Sequence, residues 1–196
     1  MNDIDASSST PLEDDEVEGL IPDHLTTRAQ LNEWEQLNIT EARLWAFGRA
    51  GPDPLTIDGL RSLNARMFGR TWKWAGTFRT TDKNIGVPAA RIWPALRDCI
   101  DDARWWIEHD RMPLREAAAR YHHRLVQVHP FPNGNGRWAR LAIDLLLHGR
   151  GEQLFEWGRD LETTDQARAA YMAALRSADR GEYGPLIAFL RIERDP

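Results

Sequence analysis

The segment from His129 to Arg140 constrains this chain more than any other, because it reads His-Pro-Phe-Pro-Asn-Gly-Asn-Gly-Arg-Trp-Ala-Arg. Gly134 and Gly136 permit backbone angles with positive φ and let main-chain N–H groups approach a ligand closely. The residues that follow, 137–147, have the apolar pattern of a buried helix. A glycine turn that leads into a helix presents free N–H groups and a positive dipole end to an anion. We therefore expect a turn that binds phosphate oxygens.

Three charged or titratable side chains flank this turn. Arg137 and Arg140 are three residues apart on the predicted helix, so both project from one face and offer two forked donors suited to phosphate. His129 comes just before the turn, where a near-neutral imidazole can take a proton from an attacking hydroxyl. The spacing thus predicts a base and a phosphate cradle within one loop.

The segment resembles the Fic (or Fido) motif, His-x-Phe-x-(Asp or Glu)-Gly-Asn-Gly-Arg-x-x-Arg. Seven fixed positions agree, and these are His129, Phe131, Gly134, Asn135, Gly136, Arg137 and Arg140. The resemblance implies that His129 deprotonates a Ser, Thr or Tyr hydroxyl of a target protein, which then attacks the α-phosphate of ATP and leaves AMP on that protein. It also makes Phe131 a core anchor, the turn from Gly134 through Asn135 to Gly136 the anion hole, and the two arginines the partners of the distal phosphates.

One position departs from the pattern, because Asn133 stands where the family has a carboxylate that binds Mg²⁺. An amide offers a neutral oxygen where a hard dication prefers a charged one, so Asn133 is a weak metal ligand. A metal ion, Mg²⁺ or Mn²⁺, can still be held by the phosphates of the substrate. Two alternatives to AMP transfer therefore stay open: a nucleotide-binding regulatory module with impaired catalysis, and removal of AMP with water as the nucleophile.

The resemblance extends beyond the motif. Matching stretches lie at residues 25–39, 56–68, 72–79 and 83–86, and the span from about 25 to 150 is similar to the Fic subgroup called mobile mystery protein B. That subgroup implies a setting near mobile genetic elements, akin to toxin–antitoxin systems, and a helix-turn-helix partner called mobile mystery protein A.

Residues 77–87, which we call the flap, have turn residues flanked by β-formers and predict a short hairpin. In the family this hairpin aligns an extended segment of the target by strand addition. The resemblance assigns that contact to Thr80, Thr81, Asn84 and Ile85.

Many Fic proteins are inhibited by a glutamate in the pattern (Ser or Thr)-x-x-x-Glu-(Gly or Asn), which pairs with the second arginine of the motif. Glu35 is the nearest candidate by position, although Leu31 occupies the hydroxyl site and Gln36 follows the glutamate. The alternative is that Glu35 is a carboxylate on the surface of a helix.

Composition suits a single enzyme domain. Residues 1–24 hold eight acidic side chains and no Lys or Arg, so the formal charge of −5 becomes 25 − 22 = +3 for the remainder. We expect an acidic disordered tail over 1–24 and a Fic-type domain over 25–196. The scattered positive charge argues against direct nucleic-acid binding. With no signal peptide or membrane segment recognised, and Cys99 as the sole cysteine, we expect a cytoplasmic protein without membrane association.

Helical periodicity predicts an all-α fold, a Fic-type helical bundle with the small β-hairpin flap. The predicted helices span about 26–48, 56–68, 91–109, 114–128, 137–148, 165–179 and 184–193. Thr56 and Asp165 are predicted caps, and Gly69 and Gly149 are predicted stops. The adjacent His122 and His123 favour packing over a zinc site, because adjacent residues on a helix point to different faces.

Overall fold

The structure, a computed structural model, describes residues 19–25, 27–49, 51–157 and 165–190. In chain order the α-helices are α1 Arg28–Ala46, α2 Ile57–Phe68, α3 Ile92–Glu108, α4 Leu114–Val128, α5 Asn135–His148, α6 Asp165–Asp179 and α7 Gly184–Phe189. A short 3-10 helix, Ala89–Arg91, leads into α3. The prediction of a mostly helical fold is confirmed.

Local chemistry sets the helix ends. Thr27 caps α1 through a capping box, in which its hydroxyl accepts from the Gln30 N–H and the Gln30 side chain accepts from the Thr27 N–H. The hydroxyl of Thr56 accepts from the Gly59 N–H at 2.9 Å and caps α2 as predicted. Gly69 and Gly149 end α2 and α5, also as predicted. Asp165 is the first residue of α6, and the residues just before it are outside the described ranges.

Helix α5 runs through the centre of the molecule and is buried on nearly every side. Its buried apolar side chains are Trp138, Ala139, Leu141, Ala142, Ile143, Leu145, Leu146 and Leu147. α4 and α2 pack against α5, while α3 covers α4, α1 covers α2, and α6 and α7 pack on each other and on α4. The first turn of α5 carries the motif, so the core fixes the position of that turn. Of the helices described, none has the length and apolar content needed to cross a membrane.

The backbone before α1 pairs with the loop that follows α2. Leu20 and Trp72 form an antiparallel bridge, in which the Ile21 N–H donates to the Thr71 carbonyl and the Lys73 N–H to the Gly19 carbonyl, both at 2.8 Å. Packed structure therefore begins before the predicted boundary near Leu25. Residues 1–18 of the predicted tail lie outside the described residues.

The flap is not a β-hairpin, so that detail of the prediction is wrong. Residues 77–87 form an irregular loop of bends without paired strands. The physical reason is the side chain of Arg79, which lies between the two limbs and donates to the carbonyls of Thr81 and Val87. Those limbs also bond to the backbone at residues 128–130, so their donors are not available for a hairpin ladder.

Candidate functional site

His129 ends α4 in the left-handed conformation, with φ 52°. This backbone conformation is uncommon for a residue with a Cβ and turns the chain sharply away from the helix axis. The side chain is partly buried, and burial followed by the positive charge of Arg79 lowers the pKa of the imidazole to about 4. A hydrogen bond to the Val126 carbonyl acts in the opposite direction. At neutral pH the ring is therefore uncharged, with one nitrogen able to accept a proton.

The loop between α4 and α5 is braced by its own side chains. Asn135 accepts from the Phe131 N–H at 3.0 Å and donates to the Phe131 carbonyl at 2.8 Å. The Phe131 ring is fully buried between Phe78 and Trp138, with ring centroids 5.4 and 5.0 Å away. Phe131 is thus positioned as the predicted core anchor. The side chain of Asn135, in contrast, is committed to the loop, which leaves only its backbone N–H for an anion.

The two glycines of the turn have different roles. Gly134 has φ 75°, and a Cβ there would lie 2.5 Å from Cζ of Phe68, so both the backbone angle and the space require glycine. Gly136 lies in the first turn of α5 with an ordinary helical backbone, which corrects the expectation of positive φ at both positions. The first bond of α5 runs from the Trp138 N–H to the Gly134 carbonyl. The helix therefore does not use the N–H groups of residues 135–137, and these converge at its positive end.

Arg137 forms an ion pair with Glu35 of α1, with 2.8 Å between Nη2 and Oε2. The other carboxylate oxygen of Glu35 accepts from the Trp72 indole at 2.6 Å. Glu35 is 4% exposed, so it is not a surface carboxylate. The family pattern implied that this glutamate pairs with the second arginine of the motif, Arg140. The structure does bring Glu35 to the motif, but it pairs with the first arginine, Arg137.

Arg140 contacts helix α6. It donates to the hydroxyl of Tyr171, whose pKa burial raises to about 12. The same hydroxyl lies 2.7 Å from Nε2 of His122, a fully buried imidazole whose pKa burial lowers to about 3. His123 is bonded to Asp179 instead, at 2.8 Å. Both histidines therefore have packing roles. Tyr171 contacts Arg140, a contact that no sequence motif indicated.

Asn133 is partly exposed, and its Oδ1 accepts from the Gly134 N–H at 2.6 Å. That oxygen is neutral and already engaged, although an amide oxygen has a second lone pair. Across the described part of the chain, His, Cys, Asp and Glu side chains form no cluster of three that would hold a metal ion. A neutral amide oxygen that already accepts one hydrogen bond makes Asn133 a weak candidate ligand for a divalent ion.

The predicted target-binding residues are on the outer side of the flap. Thr80, Thr81, Asn84 and Ile85 are exposed, and the side chain of Ile85 is 60% exposed. The role of Arg79 could not be predicted from the sequence, because a charged residue between β-formers gives no sign that it will be buried. It is 5% exposed and connects the flap to His129.

The chain is similar in sequence to proteins of known family. The Fic/DOC family model matches residues 54–147. The chain is 30% identical over 145 residues to protein adenylyltransferase fic-1 of Caenorhabditis elegans, which covers 70% of this chain and 27% of that protein. It is 41% identical over 116 residues to uridine 5'-monophosphate transferase of Xanthomonas campestris, covering 50% of this chain and 22% of that protein. The chain thus spans about a quarter of the length of these curated relatives.

Solved structures of similar fold include BepC of Bartonella tribocorum with bound AMPPNP. It superposes with a TM-score of 0.67 at 17% identity, over 89% of this chain and 95% of that one. This likeness concerns the fold alone, whereas the sequence match covers the helices and the loop that hold His129, Gly134 and both arginines. Residues 54–147 of this chain are therefore a domain of the Fic/DOC family.

Proposed function

We propose that this protein is an adenylyltransferase that transfers AMP from ATP to a Ser, Thr or Tyr hydroxyl of a target protein. The observation that carries the proposal is the state of His129, whose partly buried imidazole is uncharged at neutral pH and one loop away from the free N–H groups of α5. A neutral imidazole at that place is a competent general base. The names of the relatives from Caenorhabditis elegans and Xanthomonas campestris support nucleotide transfer as the reaction class.

In the proposed reaction the target oxygen attacks the α-phosphorus of ATP. The bond from that phosphorus to the bridging oxygen of pyrophosphate breaks, and the hydroxyl proton passes to the free ring nitrogen of His129. The other ring nitrogen of His129 donates its hydrogen to the Val126 carbonyl. This bond favours the tautomer in which the first nitrogen is unprotonated and can accept the proton. The products are the AMP-modified target and pyrophosphate.

Positive potential from two sources would hold the nucleotide. The unpaired N–H groups at residues 135–137 suit the phosphate oxygens near the reacting centre, and Arg137 and Arg140 suit the distal phosphates. Tyr171 orients Arg140 from behind, while Glu35 occupies one donor face of Arg137. We further propose that Glu35 is an inhibitory group that competes with phosphate for this arginine.

The divalent ion proposed here is Mg²⁺ or Mn²⁺, which would neutralise charge on the leaving pyrophosphate. Asn133 is the residue placed to contact it, through an amide oxygen that already accepts the Gly134 N–H. Because this ligand is weak, Arg137, Arg140 and the N-terminus of α5 would supply most of the protein's neutralisation of the phosphate charge.

A uridylyl transfer is the second candidate. The relative from Xanthomonas campestris, a uridine 5'-monophosphate transferase, is 41% identical over 116 residues. The phosphate chemistry is the same for both nucleotides, so the choice depends on the pocket for the base and is decided by comparing ATP with UTP.

The biological setting proposed is that of mobile mystery protein B, a Fic subgroup found near mobile genetic elements, with a toxin–antitoxin-like role in the cytoplasm, where ATP is available. Its partner would be the helix-turn-helix protein called mobile mystery protein A. Sequence similarity over residues 25–39, 56–68, 72–79 and 83–86 supports this assignment.

Intact-mass analysis tests the proposed reaction. The protein is incubated with ATP or UTP and with Mg²⁺ or Mn²⁺, alone and with a bacterial lysate, as wild type, His129→Ala and Asn133→Asp. We expect a nucleotide adduct in the wild type, none in His129→Ala, and a faster reaction in Asn133→Asp, which restores the family's carboxylate.

The alternative functions predict different results in this experiment. ATP binding without an adduct in the wild type, together with an adduct in Asn133→Asp, would indicate a regulatory module. Loss of AMP from a pre-modified protein that depends on His129 would indicate the reverse reaction. An adduct that persists in His129→Ala would overturn the role assigned to this histidine.

A further inference from the structure

Arg79 is an arginine buried between the flap and the catalytic loop, with 5% of its surface exposed. Its Nε donates to the His129 carbonyl and its Nη1 to the Thr81 carbonyl, each at 2.8 Å, while Nη2 donates to the Val87 carbonyl. The three acceptors belong to the outgoing limb of the flap, the returning limb and the residue proposed as the base. A single planar guanidinium thus bonds three backbone segments at once.

Two main-chain hydrogen bonds also join the flap to the loop that holds His129. The Arg79 N–H donates to the Pro130 carbonyl at 2.9 Å, and the Val87 N–H donates to the Val128 carbonyl at 3.3 Å. Three successive carbonyls, at residues 128, 129 and 130, therefore accept hydrogen bonds from the two ends of the flap. The exposed stretch from Thr80 to Ile85 lies between these two attachment points.

Gly86 allows the flap to lie directly on the histidine. It has φ 96°, and a Cβ at this position would be 2.6 Å from Cβ of His129 and 2.9 Å from Nη2 of Arg79. Only a residue without a side chain fits between them. The flap and the base are therefore in close contact as well as bonded through the backbone.

The guanidinium also sets the charge environment of the histidine. Burial is the largest cause of the lowered pKa of His129, the charge of Arg79 is the second, and the charge of Lys83 on the flap adds to it. The Val126 carbonyl of α4 acts in the opposite direction. Asp82 faces Arg79 and partly offsets its charge.

We propose that Arg79 is a positioning residue that fastens both limbs of the flap to the backbone of His129, so that the segment aligning the target and the base that activates it stay in fixed register. The inference deepens the proposed function and rests on it for its meaning in catalysis. Its geometric content, the attachment of both flap limbs to the loop through the Arg79 side chain, is measurable without any reaction.

The test compares two variants. Arg79→Lys keeps the positive charge but lacks the planar set of guanidinium donors, and Arg79→Gln lacks both the charge and that set of donors. Arg61→Gln is the matched control, because Arg61 also donates to a loop carbonyl, that of Gly76 at 2.9 Å, but has no bond to His129. Three quantities are measured on the full chain. The first is hydrogen exchange at the amides of residues 79 and 87, which bond to the backbone at residues 130 and 128. The second is the NMR titration of the His129 ring, assigned with His129→Ala, and the third is kcat/KM for label transfer from α-labelled ATP to lysate proteins.

We expect exchange at the amides of residues 79 and 87 to accelerate at least about tenfold in both Arg79 variants, because loss of even one hydrogen bond from a charged group lowers the cost of opening the flap by that much. Exchange at these amides should stay at the wild-type rate in Arg61→Gln. kcat/KM should fall at least about tenfold in Arg79→Lys. The pKa of His129 should rise in Arg79→Gln but not in Arg79→Lys, so the acid limb of the rate profile moves to higher pH only in the former.

The outcomes separate this inference from the proposed reaction. Accelerated flap exchange and a raised pKa of His129 without any label transfer would support the role of Arg79 while the proposed reaction failed. Label transfer with wild-type flap exchange and wild-type kcat/KM in Arg79→Lys would overturn the role of Arg79 while the reaction stood. A lowered melting temperature with unchanged exchange and titration would reduce Arg79 to a merely structural contact, and would also overturn the inference.

Discussion

The buried Glu35 of α1 and the partly exposed Arg137 of α5 form an ion pair, with 2.8 Å between Oε2 and Nη2, and the Trp72 indole donates to the other carboxylate oxygen. The arginine that the motif assigns to phosphate thus already has an anionic partner within the protein. A phosphate that approaches this side chain must share or displace that carboxylate. Under the proposed function, Glu35 therefore competes with the nucleotide for Arg137.

Replacement of Glu35 by glutamine tests this competition. The amide keeps an acceptor for the Trp72 indole but removes the charge, so we expect ATP to bind several-fold to about tenfold more tightly, a gain on the order of 1 kcal/mol. The rate of adduct formation should rise with it. Glu41→Gln is the control, because Glu41 is on the same helix as Glu35 and its ion pair, with Arg70, is exposed. Isothermal titration with ATP gives the affinity, and an unchanged Kd in Glu35→Gln would contradict an inhibitory role.

Ile85 is the exposed apolar side chain on the flap, and a charged replacement tests whether the flap contacts the target. We expect Ile85→Asp to reduce modification of lysate proteins about tenfold, because an apolar contact becomes a buried charge. The affinity for ATP should not change. Leu44→Asp, at a 75% exposed leucine of α1, is the matched control. Loss of ATP binding and target modification together in Ile85→Asp would show that the flap does not act on the target alone.

Gly134 and Gly136 respond differently to alanine. Gly134→Ala places a Cβ at φ 75° and 2.5 Å from Phe68, so we expect a loss of about 2–4 kcal/mol in the free energy of unfolding. Gly136→Ala meets only Nη1 of Arg140, at 3.8 Å, in a helical backbone, and should change stability by less than about 1 kcal/mol. Urea unfolding of both variants makes the comparison. Equal losses would mean that the turn does not depend on the positive φ of Gly134.

Two histidines make stability depend on pH. Burial lowers the pKa of His129 to about 4 and that of His122 to about 3, from an ordinary value of 6.5. Below pH 6.5 the unfolded chain therefore binds protons that the folded chain does not bind. The free energy of unfolding should fall as the pH drops from about 6.5 to 4, by up to about 1.4 kcal/mol per pH unit for each histidine.

Urea unfolding at pH 7.5, 6.0 and 5.0 measures this slope. His129→Gln should reduce it, because one of the two groups is then absent. A slope that is unchanged in His129→Gln would show that this imidazole titrates normally in the folded protein.

The sequence predicted the helices well, because their determinants are local. The hydroxyl of Thr56 and the stops at Gly69 and Gly149 act within one turn, and the apolar pattern of α5 directly reflects its burial. Phe131 could be assigned as an anchor because the motif fixes its offset from the turn. At the site, the order of base, glycine turn and arginines along the chain was likewise readable.

The contacts that the sequence did not predict are between residues that are distant in sequence. Arg79 looked like one polar residue in a hairpin, and only the fold shows that it bonds His129, 50 residues away, and thereby replaces the strand ladder. Glu35 was placed near the motif by a loose pattern, but which arginine it reaches depends on the packing of α1 beside Trp72. The contact of Arg140 with Tyr171 depends on α6, which lies beyond the motif and carries no signature.

The backbone around His129 has no free acceptor from Val128 to Phe131. Its four carbonyls accept, in order, from the Val87 N–H, the Arg79 side chain, the Arg79 N–H and the Asn135 amide. His129 and Phe131 are the side chains of this segment that the proposed chemistry and the core require, and the four backbone pairings constrain its length as well. Inserting or deleting a single residue there would shift every pairing by one position, so homologous proteins should keep the same number of residues between α4 and α5.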